Sequence, residues 1–305
     1  MSSSFALTNY LFCVLAALLI LPLLKSPNIL TYKKGFPILI AISLIIIKLL
    51  VPYEFPFTHT LASKNILPII KQIIHINLFK NITVGNLFGG IWSIVAMLLF
   101  IYTITMHWRL MRILSIVSSS TNIELAHILS ELCTEKKIKN KPKIVQLDIK
   151  MSPFITGFRT PIIVLPFQLS TDEAKFILMH ELEHLTHHHI IVKAFIEIFT
   201  IIYWWNPLVW LLRKNLIRAL ELQADSNVIK DLSNKAGLTY LETLVNISKN
   251  AYIKRNTNLS LPFALKNNMV EYRVRTILMS TYTQKNKKTF TLHACLLTLS
   301  IMLWL

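Results

Sequence analysis

Charge is what this sequence most lacks. Only 15% of its 305 residues are Asp, Glu, Lys or Arg and 53% are hydrophobic, whereas charged residues make up about a quarter of an ordinary soluble domain. That balance excludes a simple water-soluble globule. Cysteine is the second shortage. Cys13 and Cys295 fall inside apolar runs, and Cys133 alone lies in a polar segment. With no evident pair and no CxxC, neither a disulfide framework nor a thiolate metal site is expected. Repeats and low-complexity tracts are also missing. No basic residue precedes the first apolar run and no small-residue cleavage pattern follows it, so that run is expected to stay in the mature protein.

What is present in quantity is long apolar sequence. Residues 4–24 and 87–108 contain no Asp, Glu, Lys or Arg, and each is long enough to cross about 30 Å of hydrocarbon as a helix. Residues 36–51 and 289–305 are shorter runs of the same kind. The expectation is a multi-pass membrane protein with three N-terminal spans, an extracytoplasmic loop at 52–86, a large soluble segment at 109–288 and a last span at 289–305. Basic residues near span ends set orientation. Arg109 and Arg112 follow the third span, and Lys285, Lys287 and Lys288 precede the fourth. The large segment is therefore expected in the cytoplasm, with both termini outside the cell membrane. Membrane lipids are the partner that the net charge of +17 implies, through the anionic leaflet. Direct nucleic-acid binding is not expected, because no basic helix with interleaved aromatics occurs.

Within the large segment, residues 121–138 read as a helix, and KPKIVQLDIK and TPIIVLP read as strands. Pro161 and Pro166 bracket the second strand, which suits an edge strand able to pair with an extended peptide. Ser170 followed by Glu173 is a capping box and opens a helix expected to run to about residue 189.

That helix carries MHELEHLTHHH. His180 and His184 are four apart, so their rings project from one face about a turn apart, as two ligands of one tetrahedral zinc require. Glu181 sits beside them, where a carboxylate can take a proton from metal-activated water. The third ligand must come from further along, and RALELQADSNVIKDL (218–232) supplies it. Glu221 completes a His₂Glu site, and Asp225, one turn on, can orient a ligating imidazole through its other nitrogen. His187, His188 and His189 are not needed by such a site and read as a solvated helix end. Arg218, Tyr240 and Tyr272 are candidate oxyanion stabilisers by residue type.

Residues 190–212 are apolar enough to suggest another span. A full crossing would put His180 and His184 on the opposite side of the membrane from Glu221. The 36 residues between His184 and Glu221 are too few for two crossings of about 20 each. Asn206-Pro207 breaks the run as an N-cap and first helical position. A helical hairpin packed against the membrane face or dipping into it is expected, with Trp204, Trp205 and Trp210 at headgroup depth.

Four stretches in order, SPFITGFRTPIIVLP (152–166), HELEH (180–184), WWNPLVW (204–210) and ELQAD (221–225), resemble the membrane metallopeptidases of the beta-lactam sensor–transducer (BlaR/MecR-type antirepressor) family. The resemblance extends to the layout of spans. It implies a mostly α-helical polytopic membrane protein with a cytoplasmic α+β gluzincin-like zinc metalloprotease domain. It further implies one catalytic Zn²⁺ on His180, His184 and Glu221, Glu181 as general base, and Asp225 behind a ligand. The strand Ile162, Ile163, Val164 and Leu165 would hold the substrate backbone. The implied activity is endopeptidase cleavage of a protein, either a DNA-binding repressor or the chain itself, in signal transduction. The oligomeric state stays open. Two other readings are a catalytically silent metal-binding scaffold and a quality-control or prenyl-protein type of zinc peptidase. The chain departs from the family at His189, where members often carry aspartate. Its sequence closes after the last apolar run, so a short form lacking the penicillin-binding sensor domain is expected.

Overall fold

The computed structural model describes residues 69, 72–79, 82–117, 123–147, 152–167, 169–253 and 268–282. The spans expected at 4–24, 36–51 and 289–305 lie outside them. A short antiparallel pair, β1 (Asn77–Phe79) and β2 (Ile82–Thr83), leads into α1 (Val84–Ile116). Thr83 caps α1 by accepting from the Asn86 N–H at 3.2 Å, and 33 residues at 1.5 Å each make a rod about 50 Å long. Its large side chains, from Leu87 and Phe88 through Met97 to Tyr102, are exposed. That is the reverse of how such residues behave in water, and it is what a lipid-facing helix shows. Among the described residues α1 is the one single helix long and apolar enough to cross a membrane. Its far end is no longer free: Leu110, Met111 and Leu114 pack on Val145, Ile162 and Val164, joining the rod to the domain that follows.

That domain begins with α2 (Ile123–Glu135) and a three-stranded sheet of β3 (Lys143–Leu147), β4 (Phe154–Thr156) and β5 (Ile162–Pro166), in the order β3-β5-β4. β3 runs parallel to β5 and β4 antiparallel to it. The edge-strand expectation for Ile162–Leu165 is therefore overturned, since β5 is the central strand. Pro161 precedes the ladder and Pro166 closes it, so neither removes an interior N–H. Pro161 even accepts the Lys143 N–H at 2.9 Å. Both edges of β5 are spent on β3 and β4, so it has no ladder left for a substrate backbone. Its side chains alternate. Ile163 and Leu165 face the core with Leu129, Leu132, Ile177, Leu178 and Leu182, while Ile162 and Val164 face the end of α1. Burial on both faces explains the unbroken apolar run.

α3 (Thr171–Thr186) starts at the capping box of Ser170 and Glu173. It stops earlier than the periodicity suggested. His188 takes a left-handed conformation, φ 54°, uncommon for a residue with a side chain, and α4 (His189–Ile202) departs at 64° to α3. Asn206 then caps α5 (Pro207–Asp231), accepting from the Leu208 N–H at 3.0 Å, with Pro207 in the first turn. α4 and α5 fold back on each other, joined by the Glu197–Arg213 ion pair at 2.9 Å. α6 (Asn234–Ile253) and α7 (Asn268–Tyr282) close over α3 and α5.

Candidate metal centre

The last two turns of α3 face the middle of α5, and that crossing assembles the site. The rings of His180 and His184 stand at 87° with centroids 4.9 Å apart. Glu221 reaches both: His180 Nε2 is 3.5 Å from its Oε2 and His184 Nε2 is 3.4 Å from its Oε1. One donor atom from each residue lies within 4.8 Å of the others. A tetrahedron with bonds of about 2.0–2.1 Å has edges of about 3.3–3.4 Å. The two His–carboxylate separations, made to different oxygens of Glu221, lie close to that edge, and the three residues could hold a metal ion. Glu181 is buried on the same turn.

Each imidazole is held from behind. His180 Nδ1 is 3.1 Å from Asp225 Oδ1 and 3.0 Å from the Tyr240 hydroxyl, which itself donates to Asp225 Oδ1 at 2.5 Å. Asp225 is fully buried and also receives the Arg273 guanidinium, Nε to Oδ2 at 2.7 Å and Nη2 to Oδ1 at 2.5 Å. Burial works against its charge, but Arg273 and His180 outweigh it and hold the Asp225 carboxyl well below its ordinary pKa. Burial likewise opposes charge on His180, yet hydrogen bonds from Asp225 and Glu221 raise it from 6.5 to about 9. Glu221 is partly buried, and Lys193, His184 and His180 more than offset the desolvation, keeping it ionised. His184 goes the other way, lowered chiefly by burial.

His184 has a partner the sequence reading did not assign. Its Nδ1 is 2.7 Å from Nδ1 of His189, which is only 2% exposed. His187 and His188 are exposed, as a solvated helix end would be, and the expectation is corrected for His189 alone. The left-handed turn at His188 swings His189 inward, while His187 lies near Glu183 and Asn227. Burial, then His184 and Lys193, push His189 down to about 3, so it is neutral. Binding a cation through Nε2 of His184 requires the proton on its Nδ1, so His189 Nδ1 must accept and its own proton sits on Nε2.

The oxyanion candidates sort as follows. Tyr240 is fully buried and turned toward Asp225, and Arg218 stacks over Tyr272 at 5.4 Å. The cation that does reach the site is Arg273, whose Nη1 is 3.7 Å from Glu221 Oε2 and whose Nη2 is 3.5 Å from His180 Nε2. Sequence spacing could not have found it, because it lies 48 residues beyond Asp225 on a separate helix. Lys193 is a second such residue, donating to Glu221 Oε1 at 3.0 Å. Behind α3, buried Glu183 accepts from Lys136 at 2.5 Å and Asn227 at 2.8 Å, which ties α2, α3 and α5 together.

The comparisons agree with this geometry. The family model described as BlaR1 peptidase M56 matches residues 10–277. The chain is 28% identical over 181 residues to Regulatory protein BlaR1 of Bacillus licheniformis, covering 57% of this chain and 29% of that protein. It is 22% identical over 263 residues to the Methicillin resistance mecR1 protein of Staphylococcus aureus, covering 77% of this chain and 44% of that one. The chain thus spans under half the length of these relatives. A largely buried His₂Glu cluster, set on a helix crossing and covered by a match across most of the sequence, places this chain in the BlaR1 peptidase M56 family of metallopeptidases.

Proposed function

We propose that the chain is a membrane-embedded zinc endopeptidase with a gluzincin-like domain, cutting a protein substrate at the cytoplasmic face of the cell membrane as a signalling step. The observation that carries this is the His180–His184–Glu221 cluster, whose donor atoms lie within 4.8 Å of one another, with Glu181 beside His180 on the same helix turn. Two imidazoles and a carboxylate suit Zn²⁺, which when bound supplies Lewis acidity toward a peptide carbonyl.

The chain's own residues supply the rest. Glu181 takes a proton from the attacking water and returns it to the departing amine. Asp225 and Tyr240 fix His180 with its proton on Nδ1, and His189 does the same for His184. Arg273, clamped by Asp225, presents its guanidinium beside the ligands, where it can stabilise negative charge developing on the carbonyl oxygen. β5 being central, the backbone of a substrate pairs instead with β4, whose outer edge meets no strand among the described residues and which packs near α3. A DNA-binding repressor is the substrate class that the regulatory relatives suggest.

The test is Glu181→Gln in the full chain. Zinc stoichiometry should stay at one while proteolysis of co-expressed protein, read by comparative N-terminal proteomics, disappears. A variant that still cleaved would remove Glu181 from its role, and a wild-type chain that bound no zinc would remove the metal.

A further inference from the structure

α1 serves as a ruler for the α4–α5 hairpin. Its stretch from Val84 to Trp108 carries no charge, and Arg109 and Arg112 mark the cytoplasmic end. Near that end the sheet side of the domain packs on α1: His107 meets Phe158, with rings 6.1 Å apart, and Leu110, Met111 and Leu114 pack on the sheet. The tip of the hairpin meets α1 elsewhere. The Trp92 indole donates to the Ile202 carbonyl at 2.8 Å. Trp92 lies 16 residues before Trp108, about 24 Å along the helix. α4 independently gives a similar length. It has 14 residues, about 20 Å, from His189 at the metal centre to Ile202 at the tip. The hairpin therefore runs along α1 through most of its charge-free length.

The hairpin is also built for an apolar medium. Both charges of α4 are paired, Lys193 to Glu221 and Glu197 to Arg213. Thr200 returns its hydroxyl to the Ile196 carbonyl, and the Trp210 indole bonds the Trp204 carbonyl. The outward face is Ile191, Val192, Phe195 and Ile198, between 39% and 66% exposed. Lys214 is exposed, and its long stem lets the ammonium reach back toward the cytoplasmic headgroups.

We propose that α4 and the first half of α5 form a re-entrant hairpin, which enters the hydrocarbon layer from the cytoplasmic side beside α1 and stops short of the far face, with lipid acyl chains covering its outer surface. This rests on the reading of α1 as a span and replaces the expectation that the tip tryptophans sit at headgroup depth. Internal hydrogen bonding of both helices makes the excursion feasible, because every backbone group in lipid needs a partner. At about 20 Å the hairpin is too short to cross about 30 Å of hydrocarbon. The metal centre at its base then sits where the apolar layer meets water, so a substrate must be presented at the membrane surface.

The test uses nitroxides on the zinc-loaded full chain, with Cys13, Cys133 and Cys295 changed to alanine. Phe195→Cys, Ile198→Cys and Trp205→Cys replace exposed side chains. One-to-one zinc binding confirms that each variant is folded. After reconstitution into phosphatidylethanolamine–phosphatidylglycerol vesicles, accessibility to oxygen and to a polar nickel chelate is compared. Labels at 195, 198 and 205 should be open to oxygen and closed to nickel, with depth increasing toward 205. Ser115→Cys should be open to nickel and Met97→Cys closed. If 97 is closed while 205 is as open to nickel as 115, the hairpin lies in water and the proposal is wrong. If 97 itself is open to nickel, the span reading falls and takes the proposal with it. Neither result bears on the Glu181→Gln test.

Discussion

His189 offers the sharpest perturbation, because its role depends on one atom. Nδ1 of histidine, Oδ1 of asparagine and Oδ1 of aspartate all lie three bonds from Cα. Each of the three side chains can thus put an acceptor where His189 Nδ1 meets His184 at 2.7 Å. His189→Asn keeps a neutral acceptor, His189→Asp substitutes an anionic one and His189→Ala removes it. A partner behind a ligating imidazole is worth about 10–100-fold in metal affinity, or about 1.4–2.7 kcal/mol. Loss of the acceptor in His189→Ala should therefore weaken zinc binding by about that range. Asparagine should stay within about threefold of wild type, since neutral hydrogen bonds are of similar strength. Aspartate should bind zinc more tightly than histidine, because a charged acceptor makes roughly twice as strong a bond. The assay is competition with a chromophoric chelator on the solubilised Glu181→Gln protein, so that cleavage does not intrude. Equal affinities for wild type and His189→Ala would refute the reasoning. So would an asparagine variant as weak as alanine, which would make the ring rather than the acceptor decisive.

Other predictions follow from the same network. Zinc uptake must expel the proton that His180 holds up to about pH 9, so affinity should climb close to tenfold per pH unit below that value, read by the same competition between pH 6.5 and 9. In chelated protein the sign for stability is opposite. The raised pKa of His180 stabilises the fold fully below pH 6.5, and that contribution disappears as pH rises through about 9, measurable as a falling Tm. Asp225→Asn leaves Arg273 buried without its carboxylate and should cost about 3–5 kcal/mol, a large share of a typical 5–15 kcal/mol domain, alongside weaker zinc binding. A Tm within two or three degrees of wild type would contradict it. Lys136→Met strands Glu183 and should destabilise the domain by about 3 kcal/mol while leaving zinc affinity nearly unchanged, since neither residue is a ligand.

Local chemistry was legible because it obeys local rules. HELEH and ELQAD each place their groups one turn apart, and helix periodicity alone turns that into a shared face. Ser170 with Glu173 and Asn206 with Pro207 announced two helix starts, since caps satisfy backbone groups within a few residues of themselves. Which face met which was not local. β5 read as an edge strand because its prolines were weighed without knowing that β4, a three-residue strand too short to show a pattern, would occupy its second side.

The sequence by itself put His180 with His184, and Glu221 with Asp225, on shared helix faces, because a spacing of four along a helix is about one turn, and the crossing of two helices brought those faces together. Tertiary structure decided what stands behind them. Arg273 reaches Asp225 from another helix, and His189 reaches His184 because the chain turns left-handed at His188. Both are packing outcomes, set by how helices cross rather than by any interval along the chain. The depth of the hairpin is of the same kind: its apolar run fixed the affinity for lipid, and the contact of Ile202 with Trp92 fixed the place.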